Sequence, residues 1–97
     1  MLKHVVIWKI KDYAQKAAHA AAVKMALESM RGRIPGLVAI EGGIDIGYDK
    51  GAHDVIVYSE FTDRAAFDGY QNHPVHVEVK QFIGPLLTDR HALDWEI

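Results

Sequence analysis

The residue types best suited to chemistry are concentrated in one short segment, residues 70–76, which reads Tyr-Gln-Asn-His-Pro-Val-His. Proline is common in the first turn of a helix, so Pro74 predicts that a helix begins at this point. His76 would then lie in the first helical turn, where free backbone N–H groups and the helix dipole disfavour an imidazolium. A neutral imidazole can accept a proton, and we therefore predict that His76 is a general base.

Four other residues are candidates for contact with a substrate beside His76. Tyr70 lies one or two turns before it, where the phenol can orient the imidazole ring or donate to a substrate oxygen. His73 lies near the N-cap of the same helix. His4 lies among apolar residues of the first strand, where an unpaired imidazole would be costly. We assign His76 and Tyr70 to catalysis, and we assign substrate binding to His4, His73 and Trp8.

Each of these polar residues also has a structural interpretation, which the sequence leaves open. His73 can simply be a helix cap. His76 and His4 can be hydrogen-bonded core histidines, and Tyr70 can be a packing residue.

Other kinds of site are disfavoured by composition and spacing. Cysteine is absent, which excludes disulfides, thiolate catalysis and cysteine-ligated metals. His73 and His76 lie three residues apart, but the intervening proline separates their rings and no third ligand is evident, so we expect no metal. The chain has no glycine-rich phosphate-binding motif, and we expect no cofactor.

Composition also limits the partners and the location that we expect. Lys plus Arg is 11 and Asp plus Glu is 13, which gives a formal net charge of −2. Without a basic stripe we expect no nucleic-acid partner. No apolar run approaches the roughly 20 residues of a membrane span, and the first residues do not resemble a signal peptide. We therefore expect a cytoplasmic protein with no membrane partner.

The strands that must support these residues follow from hydrophobic spacing. Four are predicted, at residues 2–10, 37–46, 54–61 and 89–97. The first is apolar on both faces, which predicts that both of its faces are covered. The second and third form a hairpin, with a bulge expected at Gly42 and Gly43.

Helices are predicted from Asp12 to about Arg31, from Thr62 or Asp63, and from Pro74. The first has an inward stripe at helical spacing, which consists of Ala20, Val23, Leu27, Met30 and Ile34. In the short second helix the inward residues are Ala66, Phe67 and Tyr70. The stripe of the third is Val75, Val79, Phe82 and Leu86.

The order of these elements predicts an α+β fold of the ferredoxin-like β-α-β-β-α-β type. We expect one domain over residues 1–97, with the helices on one face of a four-stranded antiparallel sheet. The opposite face would carry no helices, although 49% of the residues are hydrophobic, and a domain of this size buries only part of its apolar surface by itself. We therefore predict a homodimer that pairs through these sheet faces.

Several short motifs occur together over nearly the whole chain: Lys3-His4-Val5-Val6, Ile34-Pro35-Gly36, a strand that ends at Phe61, Tyr70-x-x-His73-Pro74-x-His76, and Asp94-Trp95. In this combination the sequence resembles the stress-responsive α/β-barrel family, often abbreviated Dabb, of the dimeric α/β-barrel superfamily. The resemblance implies that two ferredoxin-like subunits pair sheet to sheet into a dimeric α/β barrel.

The resemblance also implies roles for individual residues. In cyclases of the family the histidine that matches His76 is the base, and the tyrosine that matches Tyr70 assists it. The histidines that match His4 and His73 lie nearby. A further histidine of the plant cyclase corresponds to Val55 here, so the chain departs from the cyclase pattern at that position.

Three functions are open at this stage. The first is a cofactor-independent cyclase or isomerase, in which His76 removes a proton from a β-dicarbonyl, polyketide-like small molecule. The second is non-enzymatic, namely a stress-related structural dimer or a dimer that binds a small hydrophobic or aromatic ligand. The third is a cofactor-free monooxygenase of the same superfamily.

Overall fold

A four-stranded antiparallel sheet forms one layer of the molecule, and the helices form a second layer on one of its faces. The computed structural model describes every residue from Met1 to Ile97. In chain order the elements are β1 (Leu2–Ile10), α1 (Lys16–Glu28), β2 (Leu37–Ile44), β3 (Val55–Phe61), α2 (Arg64–Asn72), α3 (Pro74–Ile83) and β4 (Leu87–Glu96). The strand order β2-β3-β1-β4 confirms the predicted ferredoxin-like fold.

Strand β1 lies inside the sheet, between β3 and β4. Its side chains alternate between the two faces of the sheet. Leu2, Val6 and Ile10 face the helices and are at most 5% exposed, whereas Val5 and Ile7 face the opposite side and are half-buried. The apolar character of both faces therefore reflects the central position of this strand.

Helix α1 supplies much of the core through the predicted stripe. Ala20, Val23, Leu27, Met30 and Ile34 are all buried. The helix itself is shorter than predicted at both ends. A separate 3-10 turn, Tyr13–Gln15, precedes it, and the Asp12 carboxylate caps this turn by accepting from the backbone N–H of Ala14 at 3.1 Å.

The bulge predicted at Gly42 and Gly43 is wrong. Both glycines pair with β3 in unbroken register. The close approach of α1 instead favours glycine at position 42, because a Cβ there would lie only 3.1 Å from the Cα of Lys24. Strand β2 also ends at Ile44 rather than at residue 46, and Ile46 is 89% exposed.

The inward face of α3 also differs from the prediction. Val79 is buried as expected, but Phe82 is 56% exposed, and Ile83 is buried in its place. The reason is that His76 turns toward the core, so the buried face passes through Val79 and Ile83, three and seven positions further along. Leu86 lies beyond the helix in a second 3-10 turn, Gly84–Leu86, which leads into β4. None of the helices is long and apolar enough to cross a membrane.

Candidate active site

The junction between α2 and α3 positions the polar segment that the sequence singled out. Helix α2 begins after Asp63, whose carboxylate accepts from the backbone N–H of Ala66 at 2.8 Å. His73 ends α2 and caps α3, since its Nδ1 accepts from the backbone N–H of Val75 at 3.1 Å. Pro74 is the first residue of α3, as predicted. This sharp junction brings His76, in the first turn of α3, back against Tyr70 in α2.

The imidazole of His76 is held in one tautomer by its environment. The residue is 8% exposed, and its Nδ1 lies 2.9 Å from the backbone carbonyl oxygen of Tyr70. Because a carbonyl oxygen only accepts hydrogen bonds, Nδ1 carries the proton and donates. In the neutral ring, the lone pair is then on Nε2.

Burial lowers the pKa of His76 from 6.5 to about 4. The hydrogen bond to the Tyr70 carbonyl acts in the opposite direction, and the positive charge of Lys80 lowers the pKa further. The ring is therefore neutral at pH 7. Burial is the largest of these causes.

Tyr70 packs directly on the imidazole of His76. The two rings stack with their centroids 3.7 Å apart and their planes inclined by 19°. Burial raises the pKa of Tyr70 to about 12, so its hydroxyl remains protonated and can donate a hydrogen bond. The stack restricts the orientation of the His76 ring, and Tyr70 is thus both a packing residue and a potential donor.

His4 has a partner that the sequence reasoning did not identify. It is 6% exposed, and its Nδ1 contacts a carboxylate oxygen of Asp94. The two residues lie directly opposite each other in the β1–β4 pairing. Only the strand register brings them together, so no local sequence signal could have revealed this pair. The ring of Phe67 also packs against His4, with the centroids 4.9 Å apart.

A cavity of about 520 Å³ lies between the sheet and α3, a volume in the range of small-molecule sites. The predicted site residues His4, Trp8, Tyr70 and His76 all line it. Its apolar wall consists of Val6, Leu27, Val57, Val79, Ile83 and Leu87, and its polar residues are Gln71, Lys80, Thr88, Asp89 and Arg90.

The structure separates His73 from the other four predicted site residues. His73 does not line this cavity, and its Nδ1 is used in the helix cap. Its predicted contact with a substrate stays a prediction. The polar residues Lys80 and Arg90 were not selected from the sequence, because their position at the cavity depends on the packing of α3 and on the path of β4.

No group of three His, Cys, Asp or Glu side chains is arranged to hold a metal ion. The side chains that line the cavity supply an acceptor nitrogen on His76, hydroxyl, amide and cationic donors, and the carboxylate of Asp89.

Comparisons with known proteins agree on the family. The family description "Stress responsive A/B Barrel Domain" (Dabb) matches residues 2–97. The chain therefore belongs to the stress-responsive α/β-barrel family. No curated protein is similar enough to give a significant match.

Solved structures share the fold over the whole chain. A dimeric ferredoxin-like protein of unknown function from Thermobifida fusca is 27% identical, with a TM-score of 0.88 over 99% of this chain and 90% of that one. A dimeric protein of the same fold from Bacteroides fragilis is 26% identical, with a TM-score of 0.85 over 99% and 95%. A protein described as an antibiotic biosynthesis monooxygenase is 19% identical, with a TM-score of 0.76 over 100% and 98%, and shares the fold.

Proposed function

We propose that this protein is a cofactor-independent enzyme in which His76 acts as a general base on a β-dicarbonyl small molecule. The observation that carries the proposal is the state of His76 in the cavity. The ring is neutral, its Nδ1–H is bonded to a backbone carbonyl, and the lone pair on Nε2 remains for a proton. A general base requires an unprotonated nitrogen at a ligand-accessible position.

The proposed reaction is an intramolecular aldol-type cyclisation. Nε2 of His76 takes a proton from the carbon that lies between two carbonyl groups, and the electron pair of that C–H bond delocalises into an enolate. The enolate carbon then attacks a second carbonyl carbon of the same molecule, which forms a C–C bond and an alkoxide. The imidazolium returns its proton to the alkoxide, so the base is regenerated and no co-reactant is consumed.

Tyr70 would stabilise the enolate in this reaction. Because burial keeps its hydroxyl protonated, the phenol can donate a hydrogen bond to the oxygen on which negative charge develops. Its stacking on His76 also limits the base to one orientation. His4, held by Asp94, and Trp8 complete the wall near the reacting atoms.

The low pKa of His76 restricts the substrate class. An imidazole with a pKa of about 4 is a weak base, so it can deprotonate only a carbon that is already acidic. A carbon flanked by two carbonyl groups meets this requirement, whereas a simple ketone does not. The largely apolar wall fits the hydrocarbon part of a polyketide-like molecule.

The test is turnover of linear triketide and tetraketide free acids and thioesters, with cyclised products quantified by liquid chromatography and mass spectrometry. We expect His76→Gln to lower turnover by about 10²- to 10⁴-fold, the usual contribution of a general base. Tyr70→Phe should lower it by roughly 100-fold through the loss of one donor to the enolate. His19→Gln, in α1 and away from the cavity, is the matched control and should leave turnover unchanged.

Full turnover in His76→Gln would overturn the proposal. Failure of the wild-type protein to cyclise any member of the series would favour the non-enzymatic alternative, a stress-related dimer that is structural or binds a small hydrophobic ligand. In that case His76→Gln would change stability but have no catalytic consequence.

A cofactor-free monooxygenase is the second candidate. The fold likeness to a protein described as an antibiotic biosynthesis monooxygenase supports it. The two reactions differ in one measurable quantity, because a monooxygenase consumes one O₂ per product and a cyclase consumes none. An oxygen electrode in the same assay therefore separates them.

We further propose that the working unit is a homodimer that pairs through the sheet face opposite the helices. Val5, Ile7, Ile56 and Tyr58 are half-buried on this face, and Leu93 is 65% exposed beside them. A contiguous apolar sheet face is a typical subunit interface, and the relatives from Thermobifida fusca and Bacteroides fragilis are described as dimeric.

A further inference from the structure

Strand β4 departs from regular pairing where it borders the cavity. Ile7 and Lys9 of β1 are two residues apart, whereas their partners on β4, His91 and Thr88, are three residues apart. Strand β4 therefore contains one extra residue at this point, which is the geometry of a β-bulge. Bulges are over-represented beside active sites, where they redirect a side chain.

The bulge consists of Asp89 and Arg90, which lie opposite Trp8. Asp89 has a φ of 54°, the only positive value outside glycine. This left-handed conformation is costly for most residues and is tolerated best by Asn and Asp. Its consequence is that Thr88, Asp89 and Arg90 all line the cavity, although consecutive residues of a regular strand point to opposite faces.

The redirected Arg90 is an unpaired cation in the cavity wall. Its guanidinium forms no ion pair with any carboxylate of the chain. Lys80 is a second cation there, and its ammonium donates only to the carbonyl of Gln71, at 3.3 Å. Asp89 is the one carboxylate of the wall, and it accepts from the hydroxyl of Thr88 at 3.0 Å. Two cations thus face one carboxylate, in a chain whose net charge is −2.

From this arrangement we infer that Arg90 is a specificity-determining residue that binds a carboxylate of the substrate. The inference rests on the proposed function and narrows its substrate class to poly-β-keto carboxylic acids, in which the acidic carbon lies between two ketone carbonyls. The planar fork of a guanidinium matches the two oxygens of a carboxylate. Lys80 adds a second positive charge to the wall of the same cavity, and His76 acts on the acidic C–H group.

The test is calorimetric titration of the full chain with β-hydroxyoctanoate and with its methyl ester. This pair differs only in the charged group, and neither compound decarboxylates or is cyclised. We expect the wild-type protein to bind the acid about tenfold more tightly than the ester, the effect of one charge-assisted pair. Arg90→Gln should weaken acid binding about tenfold and leave ester binding unchanged. Arg90→Lys keeps the positive charge but not the planar fork of the guanidinium, so its affinity for the acid should lie between those of wild type and Arg90→Gln.

Arg33→Gln is the matched control, because it removes the same charge outside the cavity wall. It should bind both compounds like the wild-type protein. Equal loss of acid binding in Arg33→Gln and Arg90→Gln would indicate general charge attraction and would overturn the assignment of Arg90. Displacement of the acid by an equal concentration of inorganic phosphate would contradict a carboxylate site.

The affinities of the wild-type protein for the acid and for the ester test the role of Arg90 even if a variant does not fold. Equal affinity for acid and ester would overturn the role of Arg90 and leave the base chemistry of His76 intact. If neither compound binds, both this inference and the ligand cavity of the proposed function are contradicted. Turnover of the triketide and tetraketide series by wild type and His76→Gln then tests separately whether His76 acts as a base.

Discussion

At the scale of single residues, burial shifts the pKa values of the stacked pair His76 and Tyr70 in opposite directions. The same apolar surroundings lower the pKa of the histidine and raise the pKa of the tyrosine. Both groups are therefore neutral at pH 7, one as a proton acceptor and the other as a hydrogen-bond donor. Opposite pKa shifts in adjacent groups are a typical way for a site to divide acid and base roles.

The depressed pKa of His76 predicts that acid destabilises the fold. Between pH 6.5 and about 4 the unfolded chain binds a proton at His76 that the folded chain does not bind, so the free energy of unfolding falls as the pH falls. The depression from 6.5 to about 4 corresponds to a loss of roughly 3 kcal/mol once the pH is below both values.

Urea unfolding of the wild-type protein and of His76→Gln at pH 7 and at pH 4 measures this effect. The difference in stability between the two proteins should shift in favour of His76→Gln as the pH falls. His19→Gln, in α1 and outside the cavity, is the control for the replacement of a histidine by glutamine. An identical pH dependence in wild type and His76→Gln would show that the histidine is not buried in its neutral form.

At the scale of elements, the sequence pattern predicted the features that depend on residues close together in the chain. The apolar stripe of α1, the Asp63 cap of α2 and the start of α3 at Pro74 all depend on residues within one or two turns. The bulge predicted at Gly42 and Gly43 was wrong because a glycine that relieves a bulge and one that admits a helix look the same in a sequence.

Sequence spacing could not predict the features of the site that depend on contacts between residues far apart in the chain. The His4–Asp94 contact depends on the register between the first and last strands. The position of Arg90 depends on the extra residue in β4, which nothing in the local spacing marks. The exposed position of Phe82 follows from the turn of His76 toward the core, and helical spacing alone fits Phe82 and Ile83 almost equally well.

The left-handed conformation at Asp89 is testable as a property of β4. A β-branched residue tolerates positive φ poorly, so Asp89→Val should lower the free energy of unfolding by about 1–2 kcal/mol. Asp89→Gly removes the same carboxylate without a Cβ and should be at least as stable as the wild-type protein. Urea unfolding compares the two, and equal stability of the Val and Gly variants would contradict a left-handed residue at this position.

At the scale of the whole molecule, the helices cover only one face of the sheet. The opposite face carries apolar side chains on its three contiguous strands β3, β1 and β4, where Val5 lies between Tyr58 and Leu93. In the proposed dimer a second copy covers this face. The cavity lined by His76, Tyr70 and Arg90 lies on the helix side, so each subunit of the dimer would keep its own cavity.

Light scattering after size-exclusion chromatography tests this assembly. We expect a mass of twice the 10.9 kDa chain at micromolar concentration, because the apolar faces cover each other. Ile56→Glu should shift the protein toward monomer by placing a charge in the interface. Ile46→Glu, which is 89% exposed in the wild-type chain, should leave the dimer intact. A monodisperse wild-type monomer would contradict the proposal.

In the proposed mechanism His76 is a neutral base whose lone pair lies on Nε2 in the cavity. Nitrogen-15 NMR of the histidine side chains reports the protonation state and the tautomer of each ring directly, and His76→Gln identifies the signal. We predict that Nδ1 carries the proton from pH 8 down to pH 5 and that the ring titrates with a pKa of about 4. A proton on Nε2 in the neutral ring, or a pKa at or above the ordinary 6.5, would contradict the account.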